Sequence, residues 1–198
     1  MIIFKDISNE LPYKKFLNLY KKAEEINEPC LDVICLSTFD FLKKEANARF
    51  LNLKYIYNDN WIFFSNYNSV KANEIAQNNK VSITIYWKSL EVQIRLKGKI
   101  LKSSEKISDS HYESREQLKN ALSVSSNQSS KVDSYEHVLR NYNEVLTKKK
   151  FTKRPKYWGG YTFVPYYFEF WEGHKSRINK REVYELKKQS WISYFLEP

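Results

Sequence analysis

Two neighbouring segments alternate apolar and polar residues, and this pattern constrains the fold more than any other feature of the sequence. Residues 81–87 read V-S-I-T-I-Y-W, and residues 90–101 read L-E-V-Q-I-R-L-K-G-K-I-L. In the second segment Val92, Ile94 and Leu96 fall on one face, with polar residues on the other. Such alternation is typical of β-strands that bury one face. The pattern therefore predicts two long strands that border a core.

Further strands and intervening helices follow from the same reasoning. Strands are predicted at residues 30–39, 48–57, 61–65, 157–172 and 181–196. Helices are predicted at residues 12–26, 69–77, 103–115 and 131–149. Five to seven antiparallel strands with inserted helices indicate a mainly β, α+β fold built on a small barrel rather than a βαβ sheet.

The length and charge of the chain bear on its domain organisation and its partners. At 198 residues it suits a single domain, 1–198, and it shows no internal repeat. The formal charge of +10 is compatible with polynucleotide binding, but the lysines are spread along the whole chain, as on a solvated surface. Local clusters of basic residues are better explained by the binding of small phosphorylated ligands. No nucleic-acid partner is expected.

The cysteine, histidine and apolar content argues against several classes of site. Cys30 and Cys35 would point to opposite faces of the strand predicted at residues 30–39, and no other cysteine is present to complete a metal site. The three histidines are scattered, so no metal is predicted. No apolar run approaches the roughly 20 residues of a membrane span, and the first residues do not resemble a secretory leader. A cytoplasmic protein without a membrane partner is expected.

The short helix predicted at residues 69–77 contains a candidate anion site. Val70, Ile75 and Ala76 are expected to face inward, and Lys71 lies in the first turn. A helix N-terminus binds anions through its free N–H groups, and an added ammonium makes a phosphate site. The alternative is an ordinary surface lysine. The serine-rich segment at residues 123–130, S-V-S-S-N-Q-S-S, has the composition of a flexible linker.

The C-terminal segment, residues 169–198, interleaves aromatic residues with arginines. Trp171 and Trp191 lie among Arg177, Arg181 and several lysines. Because an unanchored terminus usually carries small polar residues, we expect this one to form a strand that buries one face. Its guanidinium groups would meet a planar or anionic partner. The residues alone do not name a reaction, since no nucleophile–base pair, Walker loop or glycine-rich dinucleotide turn is present.

Five blocks of sequence resemble one known family. They are R-F-L-N-L-K at 49–54, N-Y-N-S-V-K-A at 66–72, S-L-E-V-Q at 89–93, S-S-N-Q-S-S at 125–130 and F-W-E-G-H-K-S-R-I-N-K-R at 170–181. In order and spacing they are similar to the pyridoxine/pyridoxamine 5′-phosphate oxidase family, over almost the whole chain. The resemblance implies an antiparallel split β-barrel of the FMN-binding type with flanking helices. It also implies a homodimer with the flavin at the subunit interface, an N-terminal helical segment at 1–28, and C-terminal strands at 157–198 that complete the active site.

The resemblance assigns two sets of residues by position. The FMN set consists of Arg49, Lys71, Gln128 and Ser129 at the phosphate and ribityl end, Gln93, Trp171 and Arg181 around the rest of the flavin, the contact pair Phe64 and Ser65, and Lys54. The substrate set consists of Lys54, His111, Arg115 and Lys119 at the phosphate, and Arg177 and Asn179 at the pyridine ring. Arg177 and Asn179 are also the candidate catalytic residues.

The reaction that the resemblance implies is the oxidation of pyridoxamine or pyridoxine 5′-phosphate to pyridoxal 5′-phosphate. A hydride would pass from the C4′ carbon of this small phosphorylated pyridine to flavin N5. Molecular oxygen would then reoxidise FMN and release hydrogen peroxide. The protein would contribute orientation and charge.

Four positions depart from the family pattern. Val70 stands in place of an arginine, Asn179 of a histidine, His111 of a tyrosine and Lys119 of a serine. Asparagine cannot exchange a proton near neutral pH as histidine can. The alternatives are therefore an FMN-dependent oxidase of the same family with a different substrate, as in phenazine biosynthesis, and a non-catalytic flavin-binding protein.

Overall fold

The computed structural model describes residues 1–149 and 151–198, in which ten β-strands, five α-helices and a 3₁₀ turn are present. The strands are β1 (Ile3–Lys5), β2 (Val33–Asp40), β3 (Glu45–Asn52), β4 (Tyr55–Tyr57), β5 (Asn60–Asn66), β6 (Lys80–Trp87), β7 (Val92–Lys102), β8 (Trp158–Glu172), β9 (Lys180–Lys187) and β10 (Ser190–Leu196). The helices are α1 (Leu11–Glu25), α2 (Val70–Gln77), α3 (Glu105–Ser114), α4 (Gln117–Ser125) and α5 (Tyr135–Thr147), and the 3₁₀ turn spans Lys88–Leu90.

One sheet contains all ten of these strands and curls back on itself. Its main path runs β1-β4-β5-β8-β7-β6-β2-β3, and β9 extends from β8 with β10 beside it. All pairings except that of β1 with β4 are antiparallel. Only Leu53 and Lys54 separate β3, at one end of the path, from β4, which pairs with β1 at the other end, so the chain holds the two ends close together. This closure confirms the expected α+β barrel with flanking helices.

The long strand β8 connects the barrel to the C-terminal hairpin. Its first half pairs with β5, with Phe163 opposite Trp61, and its second half pairs with β9, with Trp171 opposite Arg181. β7 pairs with β8 on both sides of a bulge between Lys97 and Gly98. A bulge bends a strand and increases its twist, which allows β8 to change its partner on the other side.

The core lies inside the barrel and beneath α1. The face of β7 that alternation predicted as apolar, Val92, Ile94 and Leu96, is buried. Phe16 of α1 packs against Trp61, with ring centroids 4.5 Å apart. An aromatic side chain buries about 150–250 Å² of surface, so these contacts contribute a large share of the packing between helix and barrel.

Several predicted strand boundaries were wrong. Residues 1–149 and 151–198 form ten strands rather than five to seven, because β1 was not predicted, the predicted strand at 48–57 breaks at Leu53 and Lys54, and the one at 181–196 is the β9–β10 hairpin. The hairpin turns at Lys188 and Gln189, whose φ angles are 47° and 72°, and positive φ at both central positions suits a two-residue turn. Cys30 precedes β2 with a φ of 56°, so the cysteines do not share a strand.

Two helical predictions also needed correction. Helix α4 was not predicted, because the serine-rich composition that follows it suggested a linker. On α2 the buried face is Lys71, Ala72, Glu74 and Ile75, whereas Val70 is 40% exposed and Ala76 is also exposed. Hydrophobicity could not identify this face because two of its four residues are charged.

Gly98 allows the bulge to form against the barrel wall. A Cβ atom at this position would lie 2.4 Å from the Phe163 ring and 2.6 Å from the carbonyl oxygen of Val164. We expect Gly98→Ala to lower the free energy of unfolding by about 1–3 kcal/mol, as overpacked substitutions do. At Gly173 the nearest atom lies at 3.2 Å, so Gly173→Ala is the matched control. Urea denaturation measures both, and equal small losses would contradict the interpretation.

Candidate functional site

A pocket of about 510 Å³ opens between the β3–β5 region, α3, α4 and the start of β8. Seven of the residues assigned by resemblance line it: Lys54, Phe64, Ser65, His111, Arg115, Lys119 and Gln128. These residues come from sequence positions as distant as 54 and 128, and the barrel brings them together.

Parallel rings form one wall of the pocket. The His111 ring lies 3.7 Å from the Phe64 ring at an interplanar angle of 11°, and Phe64 lies 5.5 Å from Trp158 at 16°. The Arg115 guanidinium is 4.7 Å from the centroid of Trp158, within the range of a cation–π contact. Sequence reasoning missed Trp158, because nothing in the local pattern separates it from a core tryptophan at the start of a strand.

Of the three cations that line the pocket, Lys54 and Lys119 form ion pairs, whereas Arg115 does so with no described carboxylate and, among carboxylates, feels only the charge of Glu116. Lys54 Nζ lies 2.9 Å from Asp32 Oδ2, and Lys119 Nζ lies 2.9 Å from Glu116 Oε1. Arg115 Nη1 donates to Ser123 Oγ at 2.7 Å, and no carboxylate among residues 1–149 and 151–198 forms an ion pair with it. A partly buried guanidinium without a carboxylate partner favours an anionic ligand.

His111 contributes a neutral ring to this pocket. Burial, followed by the nearby charges of Arg115 and Lys54, lowers the pKa of His111 to about 4. Its Nδ1 lies 2.8 Å from the hydroxyl oxygen of Tyr55, which sequence reasoning did not assign to the site. Near neutral pH the imidazole is therefore a hydrogen-bonding group and not a cation.

A second cluster of polar side chains surrounds Lys71 beside the pocket. Its Nζ donates to Ser65 Oγ at 3.0 Å, Ser69 Oγ at 3.1 Å and Gln128 Oε1 at 3.1 Å. Lys71 is only 6% exposed. Burial and the charge of Arg49 lower its pKa to about 8, while Glu74 opposes this shift. Ser69, the N-cap residue of α2, is a member that sequence reasoning missed.

This cluster has the donor set of a phosphate site. Within the described part of the chain, the acceptors within hydrogen-bonding distance of Lys71 Nζ are neutral oxygens. A buried ammonium is costly unless an anion compensates its charge. Hydroxyl and ammonium donors at the start of a helix match the requirements of a phosphate dianion. The residues therefore fit the phosphate end of a flavin mononucleotide.

Two further cofactor candidates adjoin the Lys71 cluster. Arg49 Nη2 donates to Glu74 Oε2 at 3.1 Å, and its charge acts on Lys71. Ser129 lies in a turn next to Gln128, with a φ of 75°. The turn is anchored because Gln128 accepts a hydrogen bond from Lys71, so the linker interpretation of the serine-rich segment was wrong.

The remaining assigned residues lie at the far end of the sheet. Gln93, Trp171 and Arg181 are register partners across β7, β8 and β9. Arg181 Nε donates to Glu169 Oε1 at 2.9 Å, and the buried carboxylate of Glu169 was not assigned from sequence.

Arg177 and Asn179 lie in the loop between β8 and β9. Arg177 is exposed, and Asn179 Oδ1 accepts from the backbone N–H of His174 at 3.1 Å. The described residues that line the 510 Å³ pocket include neither of them, nor any of the far-end partners of Trp171. Trp158 and Trp171 lie at opposite ends of β8, about 40 Å apart along the strand at 3.3 Å per residue.

Two sequence models of known protein families match this chain. The sequence model described as "Pyridoxamine 5'-phosphate oxidase" matches residues 22–148, more than half of the chain. The chain belongs to the pyridoxamine 5′-phosphate oxidase family. A second model, "Pyridoxine 5'-phosphate oxidase C-terminal dimerisation region", matches residues 158–198. Members of this family are flavin-dependent oxidoreductases, so this chain is an oxidoreductase whose family points to a flavin cofactor.

Individual relatives agree with the family models. A pyridoxine/pyridoxamine 5′-phosphate oxidase of Haemophilus influenzae strain Rd is 33% identical over 193 residues, which cover 96% of this chain and 90% of the relative. The protein of that name from Cytophaga hutchinsonii is 36% identical over 179 residues, 89% of this chain and 83% of the relative.

Solved structures support the fold. PhzG from Burkholderia lata 383, crystallised in complex with tetrahydrophenazine-1-carboxylic acid, aligns with a TM-score of 0.89 at 23% identity and covers 94% of this chain and 92% of its own. A pyridoxamine 5′-phosphate oxidase-related, FMN-binding protein from Nostoc punctiforme aligns with a TM-score of 0.75 at 13% identity, covering 96% of this chain and 100% of its own. At such low identities the alignments identify the split-barrel fold.

Among residues 1–149 and 151–198, none of the helices combines the length and apolar character needed to cross a bilayer. The same residues contain no group of three or more His, Cys, Asp or Glu side chains arranged to hold a metal ion.

The pocket makes a prediction about the protonation of His111. In the folded protein this histidine should titrate near pH 4, and Arg115→Met should raise its pKa because a neighbouring positive charge is removed. In the unfolded chain this histidine takes up a proton near pH 6.5. Its contribution to the free energy of unfolding is therefore fully present above pH 6.5 and is lost as the pH falls towards 4. NMR titration of the imidazole carbons measures the pKa. A midpoint at or above 6.5 would contradict the assignment.

Proposed function

We propose that this protein is an FMN-dependent oxidase that converts pyridoxamine or pyridoxine 5′-phosphate to pyridoxal 5′-phosphate, with O₂ as acceptor and H₂O₂ as product. With the amine as substrate, water is also consumed and ammonia is released. The proposal rests on two neighbouring cations that have no carboxylate partner. The guanidinium of Arg115 lines the pocket, and the buried ammonium of Lys71 lies beside it, bonded to the pocket residues Ser65 and Gln128. Neither cation has a carboxylate hydrogen-bond partner within the described residues. A flavin phosphate and a substrate phosphate account for both.

The Lys71 cluster suits the cofactor phosphate. Ser65, Lys71 and Gln128 already converge on one another within 3.0–3.4 Å and would turn their polar groups to the phosphate. A bound flavin supplies the hydride acceptor of the reaction. Val70 is exposed at the first position of α2, so it adds no donor at the place where the family pattern has an arginine.

The outer part of the pocket suits the substrate phosphate. Lys54 and Arg115 provide the charge, and His111 provides a neutral ring nitrogen beside them. Lys54 would exchange its contact with Asp32 in whole or in part for the phosphate. The parallel rings of Phe64 and His111 give that end of the pocket a flat wall. Binding energy from the phosphate would orient the reacting carbon, which is the main contribution a protein makes when a cofactor supplies the chemistry.

A homodimer would unite the two groups of assigned residues. Within one chain the Lys71 side lies near the start of β8, whereas Arg177 and Asn179 follow its end. A two-fold interface places the same patch of each protomer against the other, so the β8–β9 loop of one protomer would cover the pocket of its partner. The match of residues 158–198 to a dimerisation region supports this arrangement. Arg177 and Asn179 would then lie at the pyridine ring.

A different substrate of the same reaction class is the second candidate. Asn179 replaces a histidine that could exchange a proton, and its Oδ1 accepts a backbone N–H from His174. This position thus offers the substrate an amide without acid–base capacity. An oxidase for another reduced ring compound, comparable with the phenazine ligand bound by PhzG, is the function that this observation favours.

Turnover of pyridoxamine 5′-phosphate tests the proposed function. The FMN-loaded protein should release peroxide with this substrate, and anaerobic addition should bleach the flavin absorbance. Arg115→Met should raise KM by about 10–100-fold, the equivalent of one charge-assisted hydrogen bond of roughly 1.5–3 kcal/mol. Pyridoxamine without its phosphate serves as the control. A flavin-loaded protein that oxidises neither compound, but oxidises a dihydrophenazine carboxylate, would establish the second candidate instead.

Mixed dimers test whether the site is shared between protomers. We expect Lys71→Met to weaken FMN binding and Arg177→Ala to impair turnover while FMN remains bound. A dimer with one protomer of each variant contains one site with both residues intact, so it should recover about half of the wild-type activity. The heterodimer is purified with two affinity tags and assayed beside the two parent dimers. If the complete site lies within one chain, no activity will return.

A further inference from the structure

Glu74 is a buried carboxylate beside the Lys71 cluster that the proposed function leaves without a role. It is 1% exposed. Its Oε1 accepts from Asn47 Nδ2 at 2.7 Å, and its Oε2 accepts from Arg49 Nη2 at 3.1 Å and from the hydroxyl of Thr38. A buried carboxylate with three donors is well satisfied and strongly oriented.

The three residues Glu74, Thr38 and Arg49 close a ring of hydrogen bonds. The Thr38 hydroxyl donates to Glu74 and accepts from Arg49 Nη1, while Arg49 Nη2 donates directly to Glu74. Arg49 Nη1 also donates to the carbonyl oxygen of Leu36 at 3.4 Å. The guanidinium is therefore held at both terminal nitrogens. Its Nε–H has no acceptor among the residues that the structure describes, so a donor remains available to a ligand.

Glu74 also acts on Lys71 through its charge. The two residues are three positions apart on α2 and share its buried face. The charged groups that influence Lys71 are Arg49 from β3 and Glu74 from its own helix, and its direct hydrogen-bond partners are neutral. The negative charge of Glu74 opposes the depression of the Lys71 pKa caused by burial and by Arg49. Glu74 therefore favours the protonated form of the ammonium.

We propose that Glu74 is a positioning residue for phosphate binding, which fixes Arg49 beside Lys71 so that the two cations converge on one anion. The inference rests on the FMN site proposed above. Two like charges that share a small site repel each other, and the carboxylate of Glu74 reduces this repulsion and favours the protonated form of Lys71 before the ligand arrives. A purely structural role, in which Glu74 only ties α2 to the β2–β3 hairpin, is the competing explanation.

The affinity for FMN of a Glu74→Gln variant separates the two explanations. Glutamine preserves the size of the side chain and removes its charge. Positioning predicts an increase in the FMN Kd of about 10–100-fold at pH 7.5, the equivalent of one charge-assisted hydrogen bond. It predicts this loss although the site gains a positive charge, because Arg49 keeps its hydrogen bonds to Thr38 and Leu36 but loses its ion pair with Glu74. Quenching of FMN fluorescence measures the Kd without any need for turnover.

The pH dependence of the Kd separates the charge of Glu74 from its hydrogen bonds, because loss of a hydrogen bond alone, as in a Thr38→Val variant, leaves every charge around Lys71 in place. Above pH 7 the FMN phosphate is largely a dianion, so further pH dependence reports the protein. Wild-type affinity should fall above pH 8, where free Lys71 loses its proton. In Glu74→Gln the fall should begin at a lower pH, because the group that raises the Lys71 pKa is absent.

Two further variants serve as controls. Glu28→Gln removes another buried carboxylate, which accepts the backbone N–H groups of Lys88 and Ser89 at 2.9 and 2.8 Å. It should lower stability and leave both the FMN Kd and its pH profile unchanged. Thr38→Val keeps every charge and removes only the hydroxyl that links Glu74 to Arg49. It should raise the Kd without moving the pH profile, and it keeps the test available if Glu74→Gln does not fold.

The possible results are distinct. If wild-type protein binds no FMN, the proposed function fails. If wild-type protein binds FMN and the folded Glu74→Gln and Thr38→Val variants bind it with the same Kd and pH profile, the role assigned to Glu74 is wrong and the function stands. A lower FMN Kd for Glu74→Gln would also overturn the role assigned to Glu74, because the carboxylate would then only reduce the positive charge of the site.

Discussion

The backbone pairing of β8 is the constraint on which the rest of the structure depends. This single strand, Trp158–Glu172, bonds to β7 along most of its length, to β5 in its first half and to β9 in its second. Its start supplies a wall of the pocket through Trp158, and its end presents Trp171 beside Arg181. Because the spacing along a strand is fixed at about 3.3 Å per residue, these two features are held apart within one protomer. The separation is what makes a site shared by two protomers physically reasonable.

Uncompensated positive charge connects the fold to its chemistry. Lys71 is held by Ser65, Ser69 and Gln128, and Arg115 by Ser123 and the face of Trp158, so neutral groups offset part of the cost of burial. Neutral partners do not cancel the charge of a buried cation. Binding of an anion would offset the remaining free-energy cost of its burial. This is the basis on which Lys71 and Arg115 are proposed to bind phosphate. Glu74 forms an ion pair with Arg49 beside Lys71.

The sequence predicted the parts of the fold that repeat over short distances. Alternation identified the buried face of β7, and the spacing of apolar residues identified α1. It failed where a tertiary contact overrides local pattern. The strand predicted at 48–57 bends at Leu53 and Lys54 because the barrel must close there, and the buried face of α2 includes Lys71 and Glu74 because hydrogen bonds from other elements satisfy them. A hydrophobicity pattern contains no information about such partners.

By itself the sequence determined most of the strands, the buried face of β7 and, through five blocks of residues, the family. Only the tertiary structure decided which assigned residues share a pocket: Phe64 meets His111 and Trp158 there, while Arg177 lies elsewhere in the same chain. The physical reason is the range of each effect. Alternation repeats every two residues and is visible locally, whereas the register that places Phe64 opposite Gly160 depends on packing between segments almost a hundred residues apart.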